Sequence, residues 1–209
     1  MEQLPSRPFI KKPHFYKPLT KFKINNSKIH YTDLLTYTAL RSYRNEGSRK
    51  CFPSLETLAK RMNVCKTFVI ESIRRLENAK FISVWRSPEM KVVNHYYFME
   101  PTYFDRIPYE FLYIKDLTLH EKSMLLALRE MTDVMSPFDI YGTIKELAFT
   151  LCMTYKTLHK QLTSLIAKGY IKQLGKAHYR FGKIQWLYMD GLPREKVKSD
   201  PEPSVFVLT

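Results

Sequence analysis

Residues 55–82, LETLAKRMNVCKTFVIESIRRLENAKFI, and residues 144–171, IKELAFTLCMTYKTLHKQLTSLIAKGYI, align without a gap at an offset of 89. Leu58-Ala59 falls on Leu147-Ala148, Met62 on Leu151, Val64 on Met153 and Val69 on Leu158. Ile73 falls on Leu162, Leu76 on Leu165 and Phe81-Ile82 on Tyr170-Ile171. Few positions are identical, yet apolar residues meet apolar ones along the whole stretch, which is the mark of a duplicated structural unit. Each copy reads as a short helix, a tight break at 63–65 or 152–154, and a longer helix at 66–79 or 155–168. The longer helices carry apolar stripes at i, i+4, i+7: Val69, Ile73, Leu76 and Leu158, Leu162, Leu165. Ser54 and Thr143 are N-cap residues for the short helices at 54–61 and 143–150. Only Thr143, with Glu146 three residues on, completes a capping box. Helix, tight turn, helix is a helix-turn-helix.

The repeat extends outward. Upstream, Ala39-Leu40-Arg41 matches Ala127-Leu128-Arg129 at an offset of 88, which predicts a preceding helix at 32–43 and at 119–131, the second opened by a Thr118–Glu121 capping box. Downstream the period changes to that of strands. The first copy reads as strands at 81–85 and 92–99 around a turn at Ser87-Pro88-Glu89. The second reads as strands at 170–174 and 184–189 flanking 175–182, with Tyr97-Phe98-Met99-Glu100 set against Leu187-Tyr188-Met189-Asp190 at an offset of 90. A basic hairpin directly after a helix-turn-helix makes a wing. The expected fold class is mainly α with small β-wings (α+β), as two tandem winged helix-turn-helix domains at 29–100 and 114–190. A basic N-terminal arm (1–28), a linker (101–113) and a flexible tail (191–209) complete the chain. Trp85 and Trp186, in the wing strands, are expected in the cores.

The stretch from Phe52-Pro53-Ser54 through Glu56-Thr57-Leu58-Ala59, Val64, Val69, Ile73-Arg74-Arg75-Leu76-Glu77 and Phe81-Ile82 resembles the winged-helix domain of phage and plasmid replication initiators and related regulators. The second copy is similar through Glu146-Leu147-Ala148, Met153-Thr154, Thr157-Leu158, Leu162, Leu165 and Gly169-Tyr170-Ile171. The resemblance covers about two-thirds of the chain. It implies binding to double-stranded DNA, with the second helix of each motif in the major groove, and is common to replication initiation and transcription control. The first copy departs from the pattern. It has Cys65 at the capping position where the second keeps Thr154, Phe68 where the second keeps Thr157, and Glu71 where the second has Lys160. The second copy is the better expected reader.

Charge points the same way independently. Lys and Arg number 34 against 20 Asp and Glu, a net charge of +14, which favours a polyanionic partner. From Thr154 to Met189 lie Lys156, Lys160, Lys168, Lys172, Lys176, Arg180 and Lys183 with no acidic residue among them. Residues 101–153, by contrast, hold five basic and eight acidic side chains. Uniform solubilising charge would not sort itself so. In the first copy Lys66, Arg74, Arg75, Arg86 and Lys91 are interleaved with Glu71, Glu77 and Glu89, so DNA contact competes there with protein docking.

With the leucines of the second copy's long helix facing inward, Tyr155, Lys156, His159, Lys160 and Thr163 project outward toward base edges or phosphates. Thr154 and Thr157 are expected to contact phosphate or cap the helix. The first copy's outward set is Lys66, Thr67, Ile70, Glu71 and Arg74, with Arg75 also counted as a DNA contact. Arg86, Lys91, Lys176 and Arg180 serve in the wings. The arm, with seven basic residues against Glu2 alone, reads either as a minor-groove arm or as a solubilising tail.

Other function classes find little support. Cys51, Cys65 and Cys152 have no ligand or disulfide spacing, so neither zinc nor a disulfide framework is expected, and no cofactor. There is no secretory h-region and no apolar run of membrane-spanning length, so the chain is expected in the cytoplasm with the nucleoid, without a membrane partner. Phosphate-loop, HExxH and Gly-x-Ser-x-Gly motifs are all missing, and no enzymatic role is expected. Single-strand or RNA binding would call for exposed aromatic platforms among basic residues, which the sequence does not display. The expected partners are double-stranded DNA and, beyond it, replication or transcription machinery. The expected assembly is a monomer acting as an internal pseudo-dimer, or a homodimer. The competing reading is an adaptor whose winged helices dock on a polymerase or helicase.

Overall fold

A computed structural model describes residues 14–16, 29–45, 48–86, 94–98, 103–107, 109–132, 136–183 and 195–196. Its described elements run β1 (His14–Tyr16), α1 (Asp33–Arg41), α2 (Leu55–Met62), α3 (Lys66–Asn78), β2 (Ile82–Arg86), β3 (Asn94–Phe98) and β4 (Tyr103–Ile107). A 3-10 turn (Tyr109–Tyr113) leads to α4 (Leu119–Arg129), β5 (Asp139–Tyr141), α5 (Ile144–Thr150), α6 (Tyr155–Ala167), β6 (Ile171–Gly175), β7 (His178–Phe181) and β8 (Glu195–Lys196). The result is a mixed α and β structure with small antiparallel sheets.

Helix starts follow from capping chemistry. Thr118 and Thr143 each accept from the backbone N–H of the glutamate three residues on, and Glu121 and Glu146 each reach back to the cap N–H. Ser54 and Thr154 accept from the N–H groups of Thr57 and Thr157. Cys65 makes no such bond, so α3 begins without a side-chain cap. Left-handed backbone recurs at the offset of 89: Asn63 with Cys152 after the short helices, and Lys80 with Gly169 after the long ones. Each reverses the chain within a single residue, as a left-handed terminus does.

The apolar stripes read from sequence are the core: Val69, Ile73 and Leu76 in α3, and Leu158, Leu162 and Leu165 in α6, are all buried. Every residue of α1 is buried, and so is every residue of α4 from Glu121 onward, because these helices form the centre. Helix α1 packs on α2, α3 and α4, and α4 packs on α1 and α6. The equivalent first helices of the two copies therefore meet each other. Tyr31 Oη and His120 Nδ1 share a 2.7 Å hydrogen bond across the seam.

Several expectations are corrected. The second copy's hairpin closes through Lys176-Ala177, and its return strand is His178–Phe181 instead of 184–189, which lies outside the described residues. Ile82 pairs with Phe98, and Ile171 with Phe181. The true offset of the return strands is therefore 83, setting His95-Tyr96-Tyr97-Phe98 against His178-Tyr179-Arg180-Phe181. The shorter turn of the second copy accounts for the change from 89. Gly182 then passes so close to Gly169 that an added Cβ would lie 2.3 Å from its carbonyl oxygen. Strand β5 was not expected. It pairs with β7 to give the order β5-β7-β6, and the first copy keeps a remnant of it, the bond from Tyr96 N to Cys51 O.

The expected linker contains β4 and the 3-10 turn, and Ile107, Phe111 and Leu112 are buried. β4 pairs with β1 from the arm and with β8 from the tail, so each flank contributes a short paired strand. The rest of both flanks lies outside the described residues. Trp85, expected in the core, is 52% exposed, because odd residues of β2 face outward. Trp186 lies outside the described residues.

Candidate nucleic-acid interface

Helix α6 rests on its leucines, so Tyr155, Lys156, His159, Lys160 and Thr163 are exposed, as expected from a 3.6-residue period. Tyr155 stacks on His159, with ring centroids 5.7 Å apart, one turn along the helix. Thr154 serves as the cap, and its hydroxyl also lies 2.8 Å from that of the half-buried Thr157. Lys156, Lys160, Lys172 and Lys176 are exposed and have no ion-pair partner among the described residues. Arg180 is engaged differently. It donates to Asp139 from Nε at 2.7 Å and from Nη2 at 3.0 Å, and His178 lies 2.9 Å from the same carboxylate. The Arg180 hydrogen bond, assisted by His178, holds the Asp139 carboxyl below the usual range.

Two residues expected on the DNA side act internally. Lys168 donates to Glu121 at 2.7 Å and to the Asp116 carbonyl, tying the end of α6 to the start of α4. Arg75, expected to contact DNA, is turned inward onto Asp33, a carboxylate with 0% exposure. A buried carboxylate demands such a partner, and the helix that carries it is thereby held in place. These carboxylates are equivalent: Asp33 accepts from Ser72 at 2.6 Å, and Glu121 from Ser164 at 2.6 Å. Burial opposes ionisation of Glu121, but hydrogen bonds from Lys168, Ser164 and Thr118 outweigh it and lower its pKa to about 2. The sequence signal for both lay in the matched upstream helices, where acidic residues recur at the offset of 88.

In the first copy Thr67, Ile70, Glu71 and Arg74 are exposed on α3. Lys66 is exposed and paired with Glu56, and Arg86 donates to Glu77 at 2.8 Å. Such exposed pairs contribute little to stability and exchange readily for phosphate. Lys91 lies outside the described residues. The expected lack of exposed aromatic groups does not hold. Phe52, Trp85 and Tyr97 are exposed, with Phe52 and Trp85 both against the His95 ring, and Tyr141 stacks on His178 at 4.6 Å. For Trp85, Tyr97 and Tyr141 the exposure is set by strand register, which the sequence does not display.

Helix α1, the α2–α3 pair and the chain reversal into β2 together have the geometry of a known module. Residues 29–82 match the helix-turn-helix domain family. The match spans the first copy from the residue before His30 to the first residue of β2, and it supports DNA binding by that motif. No curated protein matches the chain. Among the described residues no cluster of three or more His, Cys, Asp or Glu could hold a metal ion, and no helix is long and apolar enough to cross a membrane.

Proposed function

We propose that the chain is a sequence-specific double-stranded DNA-binding protein, with no catalytic centre of its own, acting in replication initiation or transcription control of a phage or plasmid. Its two helix-turn-helix units, each followed by a hairpin, act as tandem winged helices forming an internal pseudo-dimer. The observation that carries the reading is the exposed face of α6, where Lys156 and Lys160 flank His159 opposite the buried leucine stripe, with no acidic side chain on that helix. The gap-free alignment of the second copy on the matched first copy supports a shared fold and role. The α1–α4 seam supports the pseudo-dimer, since contact between equivalent elements is how a two-fold interface forms. Such a pair would address half-sites about 34 Å apart on one face of the duplex.

Titration of the full chain against random-sequence duplex tests the reading. Binding at low salt should weaken steeply as salt rises, with a log–log slope of about −4 or steeper for four or more phosphate contacts. A second reading, an adaptor docking on a polymerase or helicase, is favoured by exposed Phe52 and Trp85, which lie against the half-buried His95 ring of the first hairpin. An adaptor would bind random duplex barely at all at low salt, and that result would remove the DNA reading.

A further inference from the structure

Helix α3 differs from α6 at the centre of its outward face. Where α6 presents His159, α3 presents Ile70, which is 39% exposed. A lone exposed isoleucine is ordinary. Ile70, however, lies over a depression of about 240 Å³ between α3 and the hairpin, whose apolar lining is completed by Leu55 and Ile73 and whose rim is formed by Arg74, Arg86 and Asn94. Apolar surface framed by two guanidinium groups suits a target that is apolar at its centre and anionic at its edges. In the major groove that description fits one group, the 5-methyl of thymine, which stands among base edges with phosphates on either side. Exposed Glu71, next to Ile70, argues in the same direction. A carboxylate there would be repelled by a phosphate but can accept from a base amine, so this part of α3 is suited to base edges instead of backbone.

We infer that the first copy reads a thymine by its 5-methyl group through Ile70, whereas the second copy reads its half-site through polar side chains. The inference rests on the duplex-recognition reading above and adds to it that the two half-sites differ in chemistry. A binding site for a two-unit protein of this kind is an unequal pair, one half carrying an obligatory thymine.

The test uses duplexes selected from a random library by the full chain, with each thymine replaced in turn by deoxyuridine, which removes only the methyl group. At one thymine the substitution should weaken wild-type binding about fourfold, the value of one buried methyl. Ile70→Ala should bind the thymine and uracil duplexes equally, and Ile70→Val should keep most of the discrimination. Ile70 is exposed, so both variants should melt like wild type. If tight duplex binding is retained but no thymine responds, the inference is overturned while the DNA reading stands. An Ile70→Ala variant as methyl-sensitive as wild type overturns it equally. A chain that selects no duplex removes both.

Discussion

Arg75 donates to both carboxylate oxygens of Asp33, from Nε and from Nη2 at 2.8 Å each, joining the middle of α3 to the first turn of α1. Asp33 also accepts from Ser72 Oγ and from the His30 backbone N–H, so every lone pair facing the interior has a donor. The pair sets how α3 stands on the central helices, and with it the direction in which Thr67, Ile70 and Arg74 point.

Asp33→Ala should therefore cost roughly 3–5 kcal/mol of stability by leaving Arg75 without its buried partner. Arg75→Ala should be similarly destabilising. At temperatures where the variant is still folded, its salt dependence of DNA binding should match wild type. Urea unfolding and a salt titration measure the two effects, and a shallower salt slope would return Arg75 to the phosphate-contacting set.

Glu121 makes stability depend on acid. Its folded-state pKa is lowered from 4.5 to about 2, so the unfolded chain binds the proton more readily between those values. The stabilisation is complete above about pH 4.5 and is lost as pH falls toward 2. Glu121→Gln should lower the melting temperature at pH 7 and show a flatter decline than wild type between pH 4.5 and 2. Parallel pH–stability curves for the two proteins would contradict this.

Charge reversal at Lys156 and Lys160 together should weaken duplex binding at least tenfold at moderate salt, since each phosphate contact contributes about 0.9 to the salt slope. The same change at Lys66 and Arg74 should weaken it less, because Lys66 is already paired with Glu56 and Glu71 lies nearby. A gel-shift titration ranks the two variants, and equal or reversed losses would overturn the order.

Left-handed backbone at non-glycine positions is a reserve of stability. Lys80 (φ 59°) and Cys152 (φ 49°) hold conformations that favour glycine or asparagine. Lys80→Gly and Cys152→Asn should each stabilise, by less than the roughly 1–2 kcal/mol that left-handed backbone costs an ordinary residue, since glycine also loses more chain freedom on folding. Gly182→Ala should destabilise, because its Cβ would strike the Gly169 carbonyl. Thermal melting of the three variants checks the set.

The helices were legible because a 3.6-residue period and a capping residue are local properties. The stripe Leu158, Leu162, Leu165 had to face a core whatever that core was, and the glutamates at 121 and 146 had to close their boxes. The helical order of the two aligned stretches was legible for the same reason, up to the hairpins. There the alignment failed at Tyr97, because the seven residues that separate the strands in one copy are replaced by two in the other, and strand periodicity cannot register a change in loop length.

What the chain's letters alone determined was one helix-turn-helix over residues 29–82, a second stretch that aligns with it without a gap, and a positive bias toward that second stretch. Which cations remain at the surface was decided in three dimensions. Arg75 and Lys168 look from sequence like Lys156 and Lys160, but buried carboxylates from helices some forty residues away claim them. A buried acid must find a donor wherever the fold brings one within reach, and only packing says which donor that is. Exposure of Trp85 and Ile70, the β5 strand and the α1–α4 seam are long-range outcomes of the same kind, set by register and helix packing between segments distant along the chain.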